Sequence, residues 1–267
     1  MPELSIVIPA RNEPYLQQTI DDIFANALGK IEVIVGLDGY FHALKQRHGL
    51  TVVAEQESIG QRAMTNRLVR IARAPWVMKV DAHCSFGRGF DRIMLNDIHR
   101  DTILSPYMLV LEPESWTVRV DKKSSSYYFD RNLVMQYGEE TSDILRETMC
   151  LQGSCFMLLK ELYWKLELGD TTYGSWGSQG PELGLKAWLS GNKCMTTKNT
   201  YYAHLFRTTD ADFPYDRGLN PGKHSNEHIK DVFLNDKWDK AVHTLDWLVE
   251  KFNYPGDWSI PTLGIDN

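Results

Sequence analysis

Short apolar runs alternate with stretches of helical period through the first part of the chain. Leu4-Ser5-Ile6-Val7-Ile8-Pro9 has the branched apolar content of a buried strand. From Pro14 to Ala27 the apolar residues Leu16, Ile20, Ile23, Phe24 and Ala27 recur three or four apart. That spacing predicts an amphipathic helix, with Gly29 stopping it as a C-cap glycine. Strands are predicted at Ile31 to Leu37, Leu50 to Val53 and Trp76 to Val80. Between the last two, a helix opens at Ile59-Gly60, runs through Ala72 and ends at Ala74-Pro75. Strands alternating with helices predict an α/β fold with a mostly parallel central sheet flanked by helices.

Beyond residue 100 the pattern is less regular. A strand is predicted at Ile103 to Leu111, followed by a polar aromatic stretch through Tyr127-Tyr128-Phe129 and an apolar segment at Leu151 to Leu159. Helices are predicted at Glu182 to Ser190 and His228 to Phe252. No internal repeat, low-complexity tract or long Gly/Ser/Pro linker divides the chain, so residues 1–267 read as one domain with halves at 1–100 and 101–267.

Composition narrows the class. The chain is 43% hydrophobic and 24% charged, with 29 Lys+Arg against 35 Asp+Glu and a net charge of −6, the balance of an ordinary globular protein. Its longest run free of Asp, Glu, Lys and Arg, Thr148 to Leu159, is too short for the ~20 apolar residues of a spanning helix, so no integral membrane segment is expected. The first residues lack a secretory signal, and Cys84, Cys150, Cys155 and Cys194 form neither a CxxC pair nor a zinc-finger spacing. These features predict reduced thiols and a cytoplasmic location. A mildly acidic total gives no general attraction to nucleic acid.

In open α/β sheets ligands bind beyond the carboxyl ends of the strands. There the sequence places Ala10-Arg11-Asn12-Glu13, Asp38 and Asp81. Val80-Asp81-Ala82-His83-Cys84 is the sharpest feature, because residues i and i+2 of an extended segment point the same way. Asp81 and His83 would then hold one divalent ion, Mn²⁺ or Mg²⁺. A strand-end Asp capping a helix beside a surface His explains an isolated pair as well.

Several blocks in one order carry a resemblance. They are Ser5-Ile6-Val7-Ile8-Pro9-Ala10-Arg11-Asn12-Glu13, Gly60-Gln61-Arg62, Val80 to Cys84, Gln152 to Phe156, Trp176 to Trp188, and Tyr202-Ala203-His204-Leu205-Phe206-Arg207. From Ser5 to Asp236 the chain resembles the GT-A glycosyltransferases of family 2, most of all the catalytic domain of the polypeptide N-acetylgalactosaminyltransferase type. Leu37 stands where many relatives carry a second Asp, and Ala203 replaces a Gly. The resemblance implies a Rossmann-like GT-A fold, with residues 1–100 binding a nucleotide and 101–267 an acceptor. It implies a UDP-sugar donor held by Pro9, Arg11, Glu13, Asp38, Gly60, Arg62, Asp81, Trp176 and Arg207. The implied metal ligands are Asp81, His83 and His204, and Arg207 would donate to the diphosphate. Trp188, on an apolar helical face, reads as core packing.

Inverting relatives place Glu-Asp where this chain has Gln179-Gly180, and Gln cannot take a proton. Either Glu182 supplies the base, or configuration is retained and the departing phosphate receives the acceptor's proton. The DxH and His-x-Phe-Arg pattern resembles the retaining branch, in which Glu182 and Gln179 would position the acceptor or sugar hydroxyls. The acceptor would be a glycan, a protein or modified DNA. With no room for a lectin domain or an N-terminal anchor, a prokaryotic or phage-infected host is expected. Arg62, Arg67, Arg70 and Arg73 offer a phosphate track for DNA, or simply a solvated helix face. Phe213-Pro214-Tyr215 and Asn220-Pro221-Gly222 suggest a loop that folds over the donor, or a flexible connection. The loss of an acidic residue at Gln179 also fits a nucleotide-sugar-binding module without turnover. A nucleotidyltransferase would need a glycine-rich phosphate loop after the first strand, which Pro9 to Glu13 lacks.

Overall fold

A computed structural model describes residues 1–207, 209–217 and 222–253. The strands are β1 (Leu4–Ala10), β2 (Ile31–Asp38), β3 (Leu50–Glu55), β4 (Trp76–Val80), β5 (Cys84–Phe86) and β6 (Thr102–Glu112). They continue with β7 (Thr117–Ser124), β8 (Tyr127–Phe129), β9 (Met135–Tyr137), β10 (Leu145–Glu147), β11 (Cys155–Leu159) and β12 (Lys193–His204). The helices are α1 (Leu16–Asn26), α2 (Gln61–Ile71), α3 (Phe90–Asp97), α4 (Lys160–Lys165), α5 (Gln179–Leu189), α6 (Lys223–Phe233) and α7 (Leu245–Phe252).

One ten-stranded sheet runs through both halves of the sequence, in the order β10-β12-β6-β11-β4-β1-β2-β3, with β5 on β12 and β7 on β6. β3, β2, β1 and β4 are mutually parallel, as the βα alternation predicts. β11 then enters antiparallel between β4 and β6. Alternation of side chains splits the core in two. Ile6, Ile8, Val33, Val35, Met78 and Val80 pack under α1 and α3, whereas Val7, Ile34, Val77, Phe156 and Leu158 pack under α2 and α5. Trp188 is buried in the second layer and donates its indole N–H to the Thr148 carbonyl at 3.0 Å. All four cysteines are buried free thiols.

Two predicted boundaries change. α1 ends at Asn26 with Ala27 in an extended conformation, and Gly29 is no C-cap. Its N–H instead donates to Asp91 Oδ2 at 2.6 Å, and a Cβ there would come within 2.7 Å of that oxygen. The helix predicted from His228 to Phe252 is two helices. α6 stops near Leu234, Asp236 takes a left-handed backbone (φ 50°), and buried Trp238 turns the connection onto the core. Thr244 then caps α7 by accepting from the Trp247 N–H. Among the described residues no helix is long and apolar enough to cross a membrane.

Candidate donor and metal site

A cleft of about 900 Å³ opens at the carboxyl ends of β1, β2 and β4. β4 ends at Val80, so Asp81 and His83 sit in a bend rather than in the extended segment predicted from their spacing. The bend still aims both at one point. β12 supplies the third group, because His204 is its last residue and pairs with Cys84. One donor atom each from Asp81, His83 and His204 lies within 4.8 Å of the others. The two imidazoles face each other Nε2 to Nε2 at 3.1 Å, and His204 Nε2 is 3.3 Å from Asp81 Oδ2.

This donor set fits a divalent cation. His83 Nδ1 meets Glu13 Oε2 at 2.8 Å, and a carboxylate accepting that N–H leaves the Nε2 lone pair turned toward His204. Burial pushes His204 down to about 4 despite its bond with Asp81, so its ring is neutral near pH 7, as a metal ligand must be. Two ring nitrogens so close need a proton or a cation between them, and ligands ~2.1 Å from one octahedral ion are themselves about 3 Å apart. Burial opposes ionisation of Asp81, but Lys79 beside it and the hydrogen bond with His204 hold its carboxyl well below the usual range.

Around this centre the structure redistributes the predicted roles. Pro9, Arg11, Gly60 and Trp176 line the cleft. Asp38 lines it too, but its two oxygens already accept from Ser58 Oγ, Ile59 N–H and Gly60 N–H at 2.6–3.0 Å. Glu13 is buried and its carboxylate is shared by His83 and Arg207, the latter at 2.9 Å, so it orients these two. Burial raises the cost of ionising Glu13, yet the bond with His83 and the charge of Arg207 keep its carboxyl below the usual range.

Arg62 and Glu182 leave the site. Arg62 is 1% exposed, pairs with Glu182 and donates to the Gly177 carbonyl at 2.6 Å, so it anchors the Trp176 loop and is absent from the cleft wall. Glu182 is equally buried between Arg62 and Lys186, and a carboxylate fixed by two cations cannot act as a base on an acceptor. Gln179 does reach the cleft, at the first turn of α5. The predicted arginine track dissolves: Arg62 is buried, Arg67 pairs with Glu55, Arg73 with Glu32, and Arg70 lies over the Trp164 ring. With it goes the observation that favoured DNA.

Phe213 and Tyr215 line the cleft, the Pro214 carbonyl accepts from the Asn12 side chain, and the guanidinium of Arg11 lies 5.0 Å from the Tyr215 ring centre. This segment therefore sits over the cleft against Arg11 and Asn12. Asn220 and Pro221 lie outside the described residues. The sequence reading missed Gln61, Gly153, Ser154 and Lys79 in the wall. Gln61, Gly153 and Ser154 lie in the blocks that carry the resemblance, and Lys79 is the lone charge in the apolar run Trp76 to Val80.

The glycosyl transferase family 2 signature matches residues 5–167, which include Asp81, His83 and every strand of the parallel half. The chain belongs to this family. A Drosophila melanogaster protein named for polypeptide N-acetylgalactosaminyltransferase activity is 26% identical over 205 residues, 73% of this chain and 37% of its own length. Polypeptide N-acetylgalactosaminyltransferase 6 of Bos taurus is 22% identical over 72% of this chain and 33% of its own. The chain thus spans about a third of the length of these curated relatives. Their animal origin corrects the expectation of a cytoplasmic protein of a prokaryote or phage-infected host. In fold, the crystal structure of GalNAc-T7 with UDP, GalNAc and Mn²⁺ superposes with a TM-score of 0.70 at 16% identity, over 88% of this chain and 49% of that one. The mannosyltransferase PcManGT from Pyrobaculum calidifontis, in complex with GDP-Man and Mn²⁺, gives 0.51 at 16% identity over 78% and 58%. The architecture is that of GT-A glycosyltransferases.

Proposed function

We propose that the chain transfers a sugar, with retention of configuration, from a UDP-sugar to a hydroxyl of a protein or glycan, using Mn²⁺ bound by Asp81, His83 and His204. The observation that carries this reading is the convergence of those three donors beside Arg207 in a cleft large enough for a nucleotide sugar. The relatives' names make UDP-N-acetylgalactosamine the first donor and a Ser/Thr peptide the first acceptor to test.

Transfer leaves negative charge on the departing diphosphate, which a divalent cation neutralises when bound. Arg207 is positioned by Glu13 with its planar guanidinium at the same end of the cleft, suited to two parallel hydrogen bonds with phosphate oxygens. Tyr215 and Phe213 exclude water that would hydrolyse the donor. Retention is supported by the acceptor wall. Gln179 cannot take a proton and Glu182 is sequestered. Among the described residues the carboxylates lining the cleft are Glu13, Asp38, Asp81 and Asp216, the first three committed to the hydrogen bonds above and Asp216 engaged by a partner as well. The acceptor hydroxyl then gives its proton to the leaving phosphate oxygen as its own oxygen bonds to the anomeric carbon on the same face. Gln179 orients that hydroxyl.

The test is calorimetric titration with UDP and UDP-sugars, with and without Mn²⁺, on the wild type, Asp81→Ala and His204→Ala. Metal-dependent binding lost in both variants, with an α-linked product seen by NMR, supports the reading. Binding indifferent to metal and to both substitutions removes it, and tight binding without UDP release from any donor indicates a module without turnover.

A further inference from the structure

Lys79 is a charge placed against its pattern. It stands in a central strand between Val7 of β1 and Phe156 of β11, where its neighbours Val77, Met78 and Val80 are apolar, and it is 2% exposed. A strand buried on both faces has no use for an ammonium in its packing, and such local conflicts mark function. Its Nζ donates to Asp81 Oδ1 and, at 2.8 Å, to the Gly153 carbonyl, while the residue also lines the cleft.

The charge arrangement that results is unusual for a cation site. Lys79 cancels Asp81, Arg207 cancels Glu13, and the remaining ligands are imidazoles. A metal at Asp81 Oδ2 would meet no net negative charge from these four groups. The ammonium holds the other oxygen of the same carboxylate, so a cation bound by Asp81 would be repelled across it.

We propose that Lys79 makes divalent-cation binding conditional on the diphosphate. This rests on the donor-site reading above. Held alone, the cation is opposed by Lys79 and leaves readily. A diphosphate supplies the missing negative charge, so cation and nucleotide stabilise each other, and the coupling is reciprocal by linkage. The protein then carries no tightly bound metal between turnovers and assembles the centre only with its donor.

The test measures Mn²⁺ affinity from the EPR signal of the free ion, without nucleotide and with saturating UDP, for the wild type, Lys79→Met and Lys79→Gln. Gln keeps hydrogen-bonding capacity and removes the charge, so it separates charge from orientation and serves if Met fails to fold. In the wild type UDP should tighten Mn²⁺ at least about tenfold, within the usual range of coupling. Both neutral variants should bind Mn²⁺ alone about tenfold tighter than the wild type, so that the site fills before UDP arrives. A wild type that binds Mn²⁺ equally well with and without UDP overturns the proposal without any variant. Folded variants whose Mn²⁺ affinity is unchanged or lost also overturn it, since Lys79 would then only hold Asp81 in place. If the wild type binds neither Mn²⁺ nor UDP, the donor-site reading falls as well, which separates the two failures.

Discussion

Glu13 and His83 meet at 2.8 Å although 70 residues separate them in the chain. Glu13 thereby fixes the ring of His83 without reaching the point where the ligand atoms converge. Glu13→Gln should weaken Mn²⁺ binding about 10- to 100-fold, the usual loss when a partner of a metal-bound histidine is removed. His204→Ala, which deletes a ligand, should cost more. EPR titration of Mn²⁺ in the presence of UDP ranks the two. Equal affinity in Glu13→Gln and wild type would mean that His83 needs no orienting partner.

Glu182 is predicted to matter for stability rather than chemistry. Removing one member of a buried ion pair leaves its partners uncompensated, so Glu182→Ala should lose about 3–5 kcal/mol in urea unfolding. Arg62 would also release the Gly177 carbonyl and loosen the Trp176 loop. A Glu182→Gln protein with unchanged unfolding but no turnover would return Glu182 to the role of a base.

Gly184 lets α5 lie directly on the chain beside it. A Cβ at this position would come 2.3 Å from the Met149 carbonyl oxygen and 2.8 Å from Cys150 Cβ. Ala is the better helix former, but a backbone carbonyl cannot swing aside as a side chain can. Gly184→Ala should therefore destabilise by about 1–3 kcal/mol, read as a lower urea midpoint. A higher midpoint would show that helix propensity outweighs the clash.

Glu32 should govern part of the acid limb of stability. Burial opposes its ionisation, yet Ser5 Oγ and the Arg73 N–H and guanidinium, each at 2.6 Å, hold its carboxyl below the usual range. A depressed folded value means the stabilisation is complete above the unfolded value of about 4.3 and is lost as pH falls through the folded one. Glu32→Gln should be less stable at pH 7 and should lose less on acidification to pH 3. Parallel pH profiles for the two proteins would contradict this.

The parallel half was legible because each of its strands is a short apolar run and α1 and α2 each show one apolar face. Asp81, His83 and His204 were found because the flanking blocks occur in one order. What the sequence hid is where charges go after folding. Arg62 and Glu182 belong to family blocks and look available, yet they are 120 residues apart and find each other in the interior. Glu13 reads as a nucleotide contact until His83 and Arg207 arrive to share it. No period or spacing encodes such pairings. The break at Asp236 was equally hidden, because no Pro or Gly interrupts the run from His228 to Phe252.

β11 runs opposite to β4, so the chain enters it from the ligand end of the sheet. Gln152, Gly153 and Ser154 therefore arrive beside Asp81, and the Ser154 carbonyl accepts the Asp81 N–H at 2.8 Å. The chain between β7 and β11 is itself tied into the core: Tyr127, Phe129, Met149 and Leu151 are buried, and β10 pairs with β12 at the edge of the sheet. Insertions in this stretch are therefore tolerated best at the exposed residues 141–144, which bury no side chain. A change of sequence there reaches the cleft wall at Leu133 and Met135 only by way of the core those two residues share.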